Sequence, residues 1–331
     1  MTNLRTIQLE VRKPAVENYR LDVYITKRLG TTYSRTLLQK LIKQGLVTVN
    51  NKKAKPSYEI TLGDLITINL PRLILPQMVA EDIPLDIIYE DDEVILINKP
   101  PHFVVHPAAG HWEGTLVNAL LHHCKVLPET DDIYRPGIVH RLDKDTSGVI
   151  LAAKTVTAHA KLSAQFEDRT IKKEYIAIVE GEVRFDSDVI NKPIGRDPED
   201  REKMCITAED SKSAETFYEV LERFKDFTLV KCHPKTGRTH QIRVHLQSIG
   251  HPIVADSDYG KRETIYEWEL YAKTKPEGLD TAEPVIVRQA LHAYSLCFEH
   301  PVTEQRMTFT AELPADMAKL LEYLRKYAKK T

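Results

Sequence analysis

No apolar stretch in this 331-residue chain approaches the length of about 20 residues that a helix needs to cross a bilayer. The first residues, Met1 to Arg5, also lack the basic and then apolar pattern of a secretory signal, so we expect a cytoplasmic protein without membrane association. The four cysteines are far apart and form no Cys-x-x-Cys pair, which argues against a zinc site or a disulfide framework. Glycine loops of the Walker and Rossmann types are missing as well, so neither a cofactor nor a metal is predicted.

Net charge is also small, but its distribution along the chain is uneven. The formal net charge is −2, yet residues 18–72 hold ten Lys or Arg against three acidic residues. The stretch that follows, 81–93, holds seven acidic residues and no basic one. Such a reversal marks a boundary between two modules, and the basic module is the candidate for phosphate contacts. The length of the chain also favours two domains.

The basic segment shows the pattern of two short helices and a hairpin. Apolar residues at helical spacing predict a helix over 20–30. A second helix is predicted between Ser34, a typical N-cap residue, and Gly45, a typical C-cap residue. Strands are expected at 47–49 and 65–70.

This segment, residues 18–72, resembles the S4 RNA-binding domain. The matching stretches are Arg20-Leu21-Asp22, Ser34-Arg35, Gly45 to Asn50 and Gly63-Asp64. The resemblance implies a small α/β domain that holds structured RNA on a basic helical face, with Arg35, Lys40 and Lys43 as its RNA-binding residues. The alternative is a solvated basic face without a partner.

The larger region, residues 85–331, follows a linker expected at 73–84. Strands are predicted there at 87–89, 94–97, 149–153, 175–179 and 228–230, and helices at 155–167, 239–247 and 315–327; one more strand, at 7–11, is predicted before the basic module. Helices placed irregularly among many strands predict an α+β domain on a mixed, mostly antiparallel sheet. Residues 261–285 are expected to form a surface excursion.

The most informative stretch is the loop at 140–148, which has the sequence HRLDKDTSG. It lies between two apolar runs, 137–139 and 149–153, that are expected to be buried strands. Polar loops on a rigid scaffold commonly present chemistry, and Asp143 is the candidate catalytic residue here. The alternative is an ordinary Asx or Ser/Thr turn that joins two strands.

Together with three other stretches, this loop resembles the RluA family of RNA pseudouridine synthases, and most closely its RluD-type branch with an N-terminal S4 domain. The match covers nearly the whole chain. It rests on His140-Arg141-Leu142-Asp143, Thr146-Ser147-Gly148, Tyr175, Gly237 to Arg243, Leu291-His292-Ala293 and His300-Pro301. The chain departs from the family pattern at Pro101-His102, where relatives usually carry Ala-Gly, and at Ala255, where Gly is common.

The resemblance implies that a uridine of RNA is isomerised in place to pseudouridine. The N-glycosidic bond is cut, the uracil is turned, and a carbon–carbon bond forms. Asp143 would supply the essential carboxylate. The sequence leaves open whether it attacks the sugar, attacks the base, or removes a proton at C2′ on the way to a glycal. Enclosure with the substrate disfavours a charged carboxylate, and Arg243, which matches the family's active-site arginine, would favour it.

Three more residues have roles implied by the resemblance. Tyr175 matches the position whose ring stacks on the target base, although a strand tyrosine is as often simple core packing. Arg141 matches a residue that fills the gap left by the flipped-out uridine, and its alternative role is a phosphate contact. Arg238 is a less suitable partner than Arg243 for Asp143, so we expect it to contact RNA.

The resemblance points to large-subunit (23S) ribosomal RNA as the partner of a monomeric enzyme, with the helix 69 stem-loop as the target. A sister branch acts on other uridines of 23S rRNA or tRNA and remains an alternative. Two other classes are a non-catalytic ribosome-assembly factor and a nucleosidase that releases free uracil. The presence of Asp143 and Arg243 argues against the first, and the S4-like module argues against the second.

Overall fold

The computed structural model describes most of the chain. The described residues are 4–12, 18–29, 35–71, 78–107, 112–124, 127–128, 135–272, 276, 278 and 282–329. The chain divides into two units, Met1–Gln77 and Met78–Thr331. No helix within the described ranges is long and apolar enough to span a membrane.

The small unit packs two helices on a four-stranded antiparallel sheet of order β1-β4-β2-β3. Its elements are β1 (Leu4–Glu10), α1 (Leu21–Leu29), α2 (Arg35–Lys43), β2 (Val47–Val49), β3 (Lys52–Lys53) and β4 (Leu65–Pro71). β1 lies upstream of the predicted module and pairs with β4 along its whole length. Apolar residues of α1 and α2, among them Ile25 and Leu38, are buried against Ile66 and Ile68 of β4.

The helices and strands predicted for this unit are confirmed, and their ends have visible causes. Gly45 has φ +77° just after α2, the left-handed conformation in which glycine is favoured at a helix C-terminus. Asn50 and Asn51, with φ of 49° and 62°, form the tight turn between β2 and β3. The predicted N-cap Ser34 lies outside the described residues.

The large unit is built on a nine-stranded sheet. Its elements are β5 (Ile87–Glu90), β6 (Val94–Lys99), α3 (Leu116–Cys124), β7 (Ser147–Ala153), α4 (Val156–Glu167), β8 (Lys172–Glu180), β9 (Ser187–Asn191), β10 (Ile194–Arg196), β11 (Met204–Ile206), β12 (Glu215–Phe224), β13 (Phe227–Pro234), α5 (Gln241–Ser248), β14 (Leu291–Glu299), β15 (Arg306–Thr310) and α6 (Ala315–Tyr327), with a 3₁₀ helix at Glu267–Leu270. The sheet order is β5-β6-β7-β14-β8-β13-β12-β9, with β15 beside β14, while β10 and β11 pair separately. Among the described strands, β7 and β14 pair in parallel and the other pairs are antiparallel, which confirms the α+β prediction.

Both faces of the central strands are covered, and this explains their unbroken apolar sequence. Along β6, Ile95 and Ile97 pack in the cluster that contains α3. Val94 and Leu96 point to the other face and pack in the cluster that contains α4. A strand buried on both faces has no polar alternation, so its sequence is a continuous hydrophobic run.

Two sequence predictions differ from the structure, and one helix was not predicted. The run 137–139 is not a strand, because only Ile138 forms an isolated bridge, to Ala152. The excursion at 261–285 is wrong for part of its length, because Ile265 is fully buried. Helix α3 (Leu116–Cys124) was not predicted.

The expected linker is partly attached to the large unit. Residues 72–77 lie outside the described residues. From Met78 onward the chain is held on α3, because the Asn118 side chain donates to the Val79 carbonyl at 2.8 Å and Glu81 N donates to the Asn118 carbonyl at 3.0 Å.

Candidate active site

The loop at 140–148 is anchored at both ends by features of its own sequence. His140 Nε2 accepts a hydrogen bond from Leu151 N at 2.9 Å, and its ring stacks on Phe166. Burial and the charge of Lys173 lower the pKa of His140 to about 3, so the ring is neutral and able to accept. At the other end, Gly148 has φ +111°, and a Cβ there would collide with the carbonyl of Ala293 on β14.

A fully buried lysine holds the middle of this loop from behind. Lys99, the last residue of β6, donates from Nζ to the carbonyls of Pro100 at 2.8 Å, Phe103 at 3.0 Å and Lys144 at 2.9 Å. Burial lowers the pKa of Lys99 to about 7. The residue after Asp143 is therefore fixed by a strand that lies more than forty positions upstream.

A second buried cation and a histidine fix the following residues. Arg288 donates to the Asp145 carbonyl at 3.0 Å, and its other nitrogens form a two-point ion pair with Asp316 at 2.7 and 2.8 Å. His292 donates from Nε2 to a backbone carbonyl, so its Nδ1 accepts from the Ser147 hydroxyl at 2.9 Å. The loop is thus held by several hydrogen bonds on either side of Asp143.

Asp143 and Arg243 are brought together, as the sequence predicted. Arg243 Nη1 lies 3.5 Å from Asp143 Oδ2, and the Asp143 side chain is 19% exposed. The main partner of Arg243 is Asp256, which receives two hydrogen bonds of 2.7 Å, and Asp258 receives a third of 2.7 Å. Burial alone would lower the pKa of Arg243, but Asp256 and the other carboxylates raise it above its usual value. The guanidinium is therefore a permanent, fixed positive charge beside Asp143.

His240 also faces Asp143, but the two side chains are not hydrogen-bonded to each other. Its Nε2 lies 4.0 Å from Asp143 Oδ1, beyond hydrogen-bond distance. Tyr259 accepts from Met204 N and so donates its hydroxyl hydrogen to His240 Nδ1 at 2.8 Å. Burial lowers the pKa of His240, which leaves the ring neutral with its hydrogen on Nε2.

Asp143 opens into a cavity of about 490 Å³ that the other predicted residues also line, namely Tyr175, Arg141, Arg238 and Arg243. This volume lies within the range of about 300–1,000 Å³ typical of small-molecule sites. Tyr175 is half-buried, and burial together with the Asp143 charge raises its pKa, so it remains a phenol near neutral pH. Arg141 is exposed, and Arg238 donates from Nε to the Ser213 carbonyl at 3.1 Å.

The sequence reasoning missed four residues of the site, namely Lys99, Lys173, Asp256 and Arg288. One feature of the sequence could have drawn attention to Asp256: it directly follows Ala255, where the chain departs from the family pattern. Another could have drawn attention to Lys173, because it stands two positions before Tyr175 on a predicted strand and so on the same face. Within the described part of the chain, no group of three His, Cys, Asp or Glu side chains is arranged to hold a metal ion.

Comparisons with known proteins show the family of the chain. A family model described as RNA pseudouridylate synthase matches residues 93–248, and a model of the S4 domain matches residues 20–66. A Bacillus subtilis protein named "Uncharacterized RNA pseudouridine synthase YlyB" is 46% identical over 91% of this chain and 94% of its own length. The chain belongs to the family of RNA pseudouridine synthases.

Other synthases of the family are similar over comparable lengths. The "Ribosomal large subunit pseudouridine synthase D" of Neisseria meningitidis serogroup B is 43% identical over 92% of this chain and 79% of its own. The protein of the same name in Vibrio vulnificus is 42% identical over 93% of this chain and 92% of its own. The solved structure of human RNA pseudouridylate synthase domain containing 4 covers 72% of this chain and 93% of its own, with 26% identity and a TM-score of 0.55.

The two departures of this synthase from its family pattern have a common structural feature. His102 has φ +59° and Ala255 has φ +56°, so both non-glycine residues adopt the left-handed conformation. Glycine reaches that conformation without a steric penalty, which explains why it is the usual residue at both places. His102 also pairs at 2.6 Å with Asp145, which lies on the same loop as Asp143.

In the S4 domain the three predicted RNA-binding residues have different surroundings. Lys40 and Lys43 are exposed on α2. Arg35 forms an ion pair at 2.8 Å with Asp22, a fully buried carboxylate, and half of the Arg35 side chain is exposed. Burial alone would raise the pKa of Asp22, but hydrogen bonds from Arg20 and from two side chains of α2, Gln39 and Arg35, lower it well below its usual range. Arg35 therefore joins α1 to α2.

Proposed function

We propose that this synthase converts uridine to pseudouridine in large-subunit ribosomal RNA, with its target in the helix 69 stem-loop. Relatives named large-subunit pseudouridine synthase D, 42–43% identical over more than nine-tenths of this chain, support that substrate. The observation that carries the proposed chemistry is the Asp143 carboxylate, which opens into the cavity and faces Arg243 at 3.5 Å.

In this proposal Asp143 is the essential carboxylate at the glycosidic bond. A uridine that enters the cavity displaces water from around Asp143, which by itself favours the neutral acid. The positive charge of Arg243 counters that effect. Its hydrogen bonds to Asp256 and Asp258 keep the guanidinium in place when the substrate binds. Tyr175 offers its ring to the uracil, and as a neutral phenol it adds no second negative charge near Asp143.

Base flipping would expose the target to Asp143. Removing a base from its stack costs a few kcal/mol, which a replacing side chain can offset. Arg141 is suited to that role because it lies two residues from Asp143, is exposed, and has a planar guanidinium that stacks on bases. Arg238, held at the rim of the cavity by the Ser213 carbonyl, would contact the RNA backbone.

The S4 domain would supply salt-dependent affinity for the RNA. Lys40 and Lys43 are the exposed cations of α2, and Arg35 contributes the half of its side chain that the Asp22 pair leaves open. We propose that the enzyme acts as a monomer, because Asp143, Arg243 and Tyr175 of one chain line the same cavity. We place this monomer in the cytoplasm.

Carbodiimide mapping of pseudouridines in ribosomal RNA tests the proposal. RNA is compared from cells with the gene, without it, and complemented by the wild-type or the Asp143→Ala form. We expect signals in helix 69 to disappear without the gene and to return only with the wild-type form. Signals lost elsewhere in the RNA would contradict the helix 69 target, and an unchanged map would contradict the proposed function.

A further inference from the structure

Positive charge in the active-site cavity exceeds what its carboxylates balance. Three of the cations that line it are Arg141, Arg169 and Lys173. Among the described residues, none of the three forms an ion pair. The two carboxylates that line the cavity are Asp143, which faces Arg243, and Glu167, which is exposed at the end of α4. The cavity therefore contains cations with no anion of the protein to neutralise them.

Lys173 is the most informative of these cations. It lies on β8 two residues before Tyr175, and alternate residues of a strand point to the same face. Its Nζ lies 3.8 Å from the position a Cβ would take at Gly237, so glycine leaves the space beside the ammonium free. Burial and the charge of Arg169 both lower the pKa of Lys173, to about 8. A half-buried ammonium without a counterion is costly for the free protein.

Arg169 reaches the same cavity from the C-terminal end of α4. It follows α4 and has φ +60°, a conformation that non-glycine residues rarely adopt. Arg169 is exposed, and its charge is the one that acts on Lys173.

We propose that Lys173 and Arg169 form a subsite for one phosphodiester group next to the target uridine. This inference rests on the proposed function, because it takes the occupant of the cavity to be an RNA nucleotide. The phosphate would provide the missing anion, and its oxygens accept hydrogen bonds from the ammonium and the guanidinium. Bound there, it would fix the nucleotide on the Tyr175 side of the cavity.

Methylphosphonate substitution tests the subsite, because it removes the charge of a single linkage. The RNA is a synthetic stem-loop centred on the uridine that pseudouridine mapping identifies, with one methylphosphonate at each linkage near that uridine in turn. Dissociation constants are measured by filter binding for the wild type, Lys173→Met and Arg169→Gly. The glycine variant removes the charge and suits the positive φ of that position.

We expect Lys173→Met to weaken the binding of the unsubstituted RNA about tenfold, since a hydrogen bond to a charged group is lost. When the methylphosphonate replaces the phosphate that Lys173 binds, the wild type and Lys173→Met should bind the RNA with equal affinity. At that same linkage, Arg169→Gly should also bind with the affinity of the wild type. Lys172→Met is the matched control: its exposed side chain lies on the opposite face of β8. Any loss of affinity that it causes should persist at every substituted linkage.

The outcomes separate this inference from the proposed function. If the wild type forms no pseudouridine in any ribosomal RNA, the proposed function is wrong and the subsite is rejected with it. If the wild type forms pseudouridine but Lys173→Met has no effect on affinity, or its effect survives at every linkage, only the subsite is wrong.

The pH dependence supplies a second readout. A bound phosphate raises the pKa of Lys173 above its value of about 8 in the free protein. The contribution of Lys173 to affinity should therefore be constant below pH 8 and fall as the pH rises toward the higher pKa of the complex. Lys172→Met should show no such change relative to the wild type, and a flat profile for Lys173 would contradict the subsite.

Discussion

Replacing Lys99 by methionine tests whether the Asp143 loop is held from behind by a buried ammonium. Methionine keeps most of the side-chain volume but donates no hydrogen bond. Three carbonyls, of Pro100, Phe103 and Lys144, lose the donor they share. The Lys144 carbonyl retains a hydrogen bond from Phe103 N at 3.1 Å, so two acceptors are left without their donor in a buried site.

The expected cost follows from those contacts. Each unsatisfied buried acceptor costs about 1–3 kcal/mol, and removal of the buried charge offsets part of that loss. We expect Lys99→Met to lower the free energy of unfolding by about 3 kcal/mol at pH 6. For a unit of the size of Met78–Thr331, this corresponds to a decrease in Tm of about 9 °C.

The cost should also grow with pH, for a reason that can be worked out from the pKa of Lys99. Burial lowers this pKa from 10.5 to about 7. Between those values the unfolded chain binds more protons than the folded one, so the contribution of Lys99 to stability rises with pH. At pH 9 the difference between wild type and Lys99→Met should exceed that at pH 6 by about 2–3 kcal/mol.

Scanning calorimetry of wild type, Lys99→Met and Lys144→Met at pH 6 and pH 9 measures both effects. Lys144→Met is the matched control, because its backbone carbonyl still accepts from Lys99 while its own side chain is exposed. We expect that control to stay within about 1 °C of the wild type. A Lys99→Met protein as stable as the wild type at both pH values would refute this reasoning.

Three further predictions address other parts of the molecule. Gly148→Ala should destabilise the protein by more than about 3 kcal/mol, because a methyl group there collides with the β14 backbone. The control is Gly250→Ala, which should lower the free energy of unfolding in urea by only about 1–2 kcal/mol, since Gly250 has φ +86° but open space around it. If both variants lowered the free energy of unfolding equally, the steric explanation would be contradicted. Arg243→Lys should lower kcat about 100-fold or more while RNA affinity changes little, because lysine lacks the two-point fork that its carboxylates bind. Unchanged single-turnover rates would exclude that role. Lys40→Gln combined with Lys43→Gln should reduce the slope of log affinity against log salt by about 1.5, and an unchanged slope would show that α2 does not bind phosphates.

Much of the fold was predictable because local sequence pattern determines it. The amphipathic spacing in α1, α4 and α6 and the turn chemistry of Asn50 and Asn51 depend on near neighbours. Two strands of the sheet, β9 and β12, were less accessible, because they have partly exposed, mixed compositions without clean alternation. Their pairing is fixed by register with distant strands, which no local pattern records.

The candidate site was predictable where a motif is continuous and unpredictable where it depends on long-range contacts. Asp143 and Arg243 were paired in advance from the family resemblance. Lys99 was not found, because its ammonium donates to backbone carbonyls, one of them 45 residues away along the chain. Every residue has a backbone carbonyl, so the sequence does not show which carbonyls a lysine contacts. Asp256 was not found because Asp143 was expected to be the partner of Arg243, whereas two closer carboxylates occupy most of that guanidinium.

The most direct test of the account is the release of tritium from RNA labelled at C5 of uridine. Pseudouridine formation replaces the C5–H bond by the new bond to the sugar, so one label is released for each product. Purified wild type, Asp143→Ala and Asp145→Ala are compared on ribosomal RNA. Asp145 is the matched control, since its carboxylate lies on the same loop and pairs with His102 but does not line the cavity. The account predicts release by the wild type and Asp145→Ala and none by Asp143→Ala. Release by Asp143→Ala at a rate near that of the wild type would contradict it.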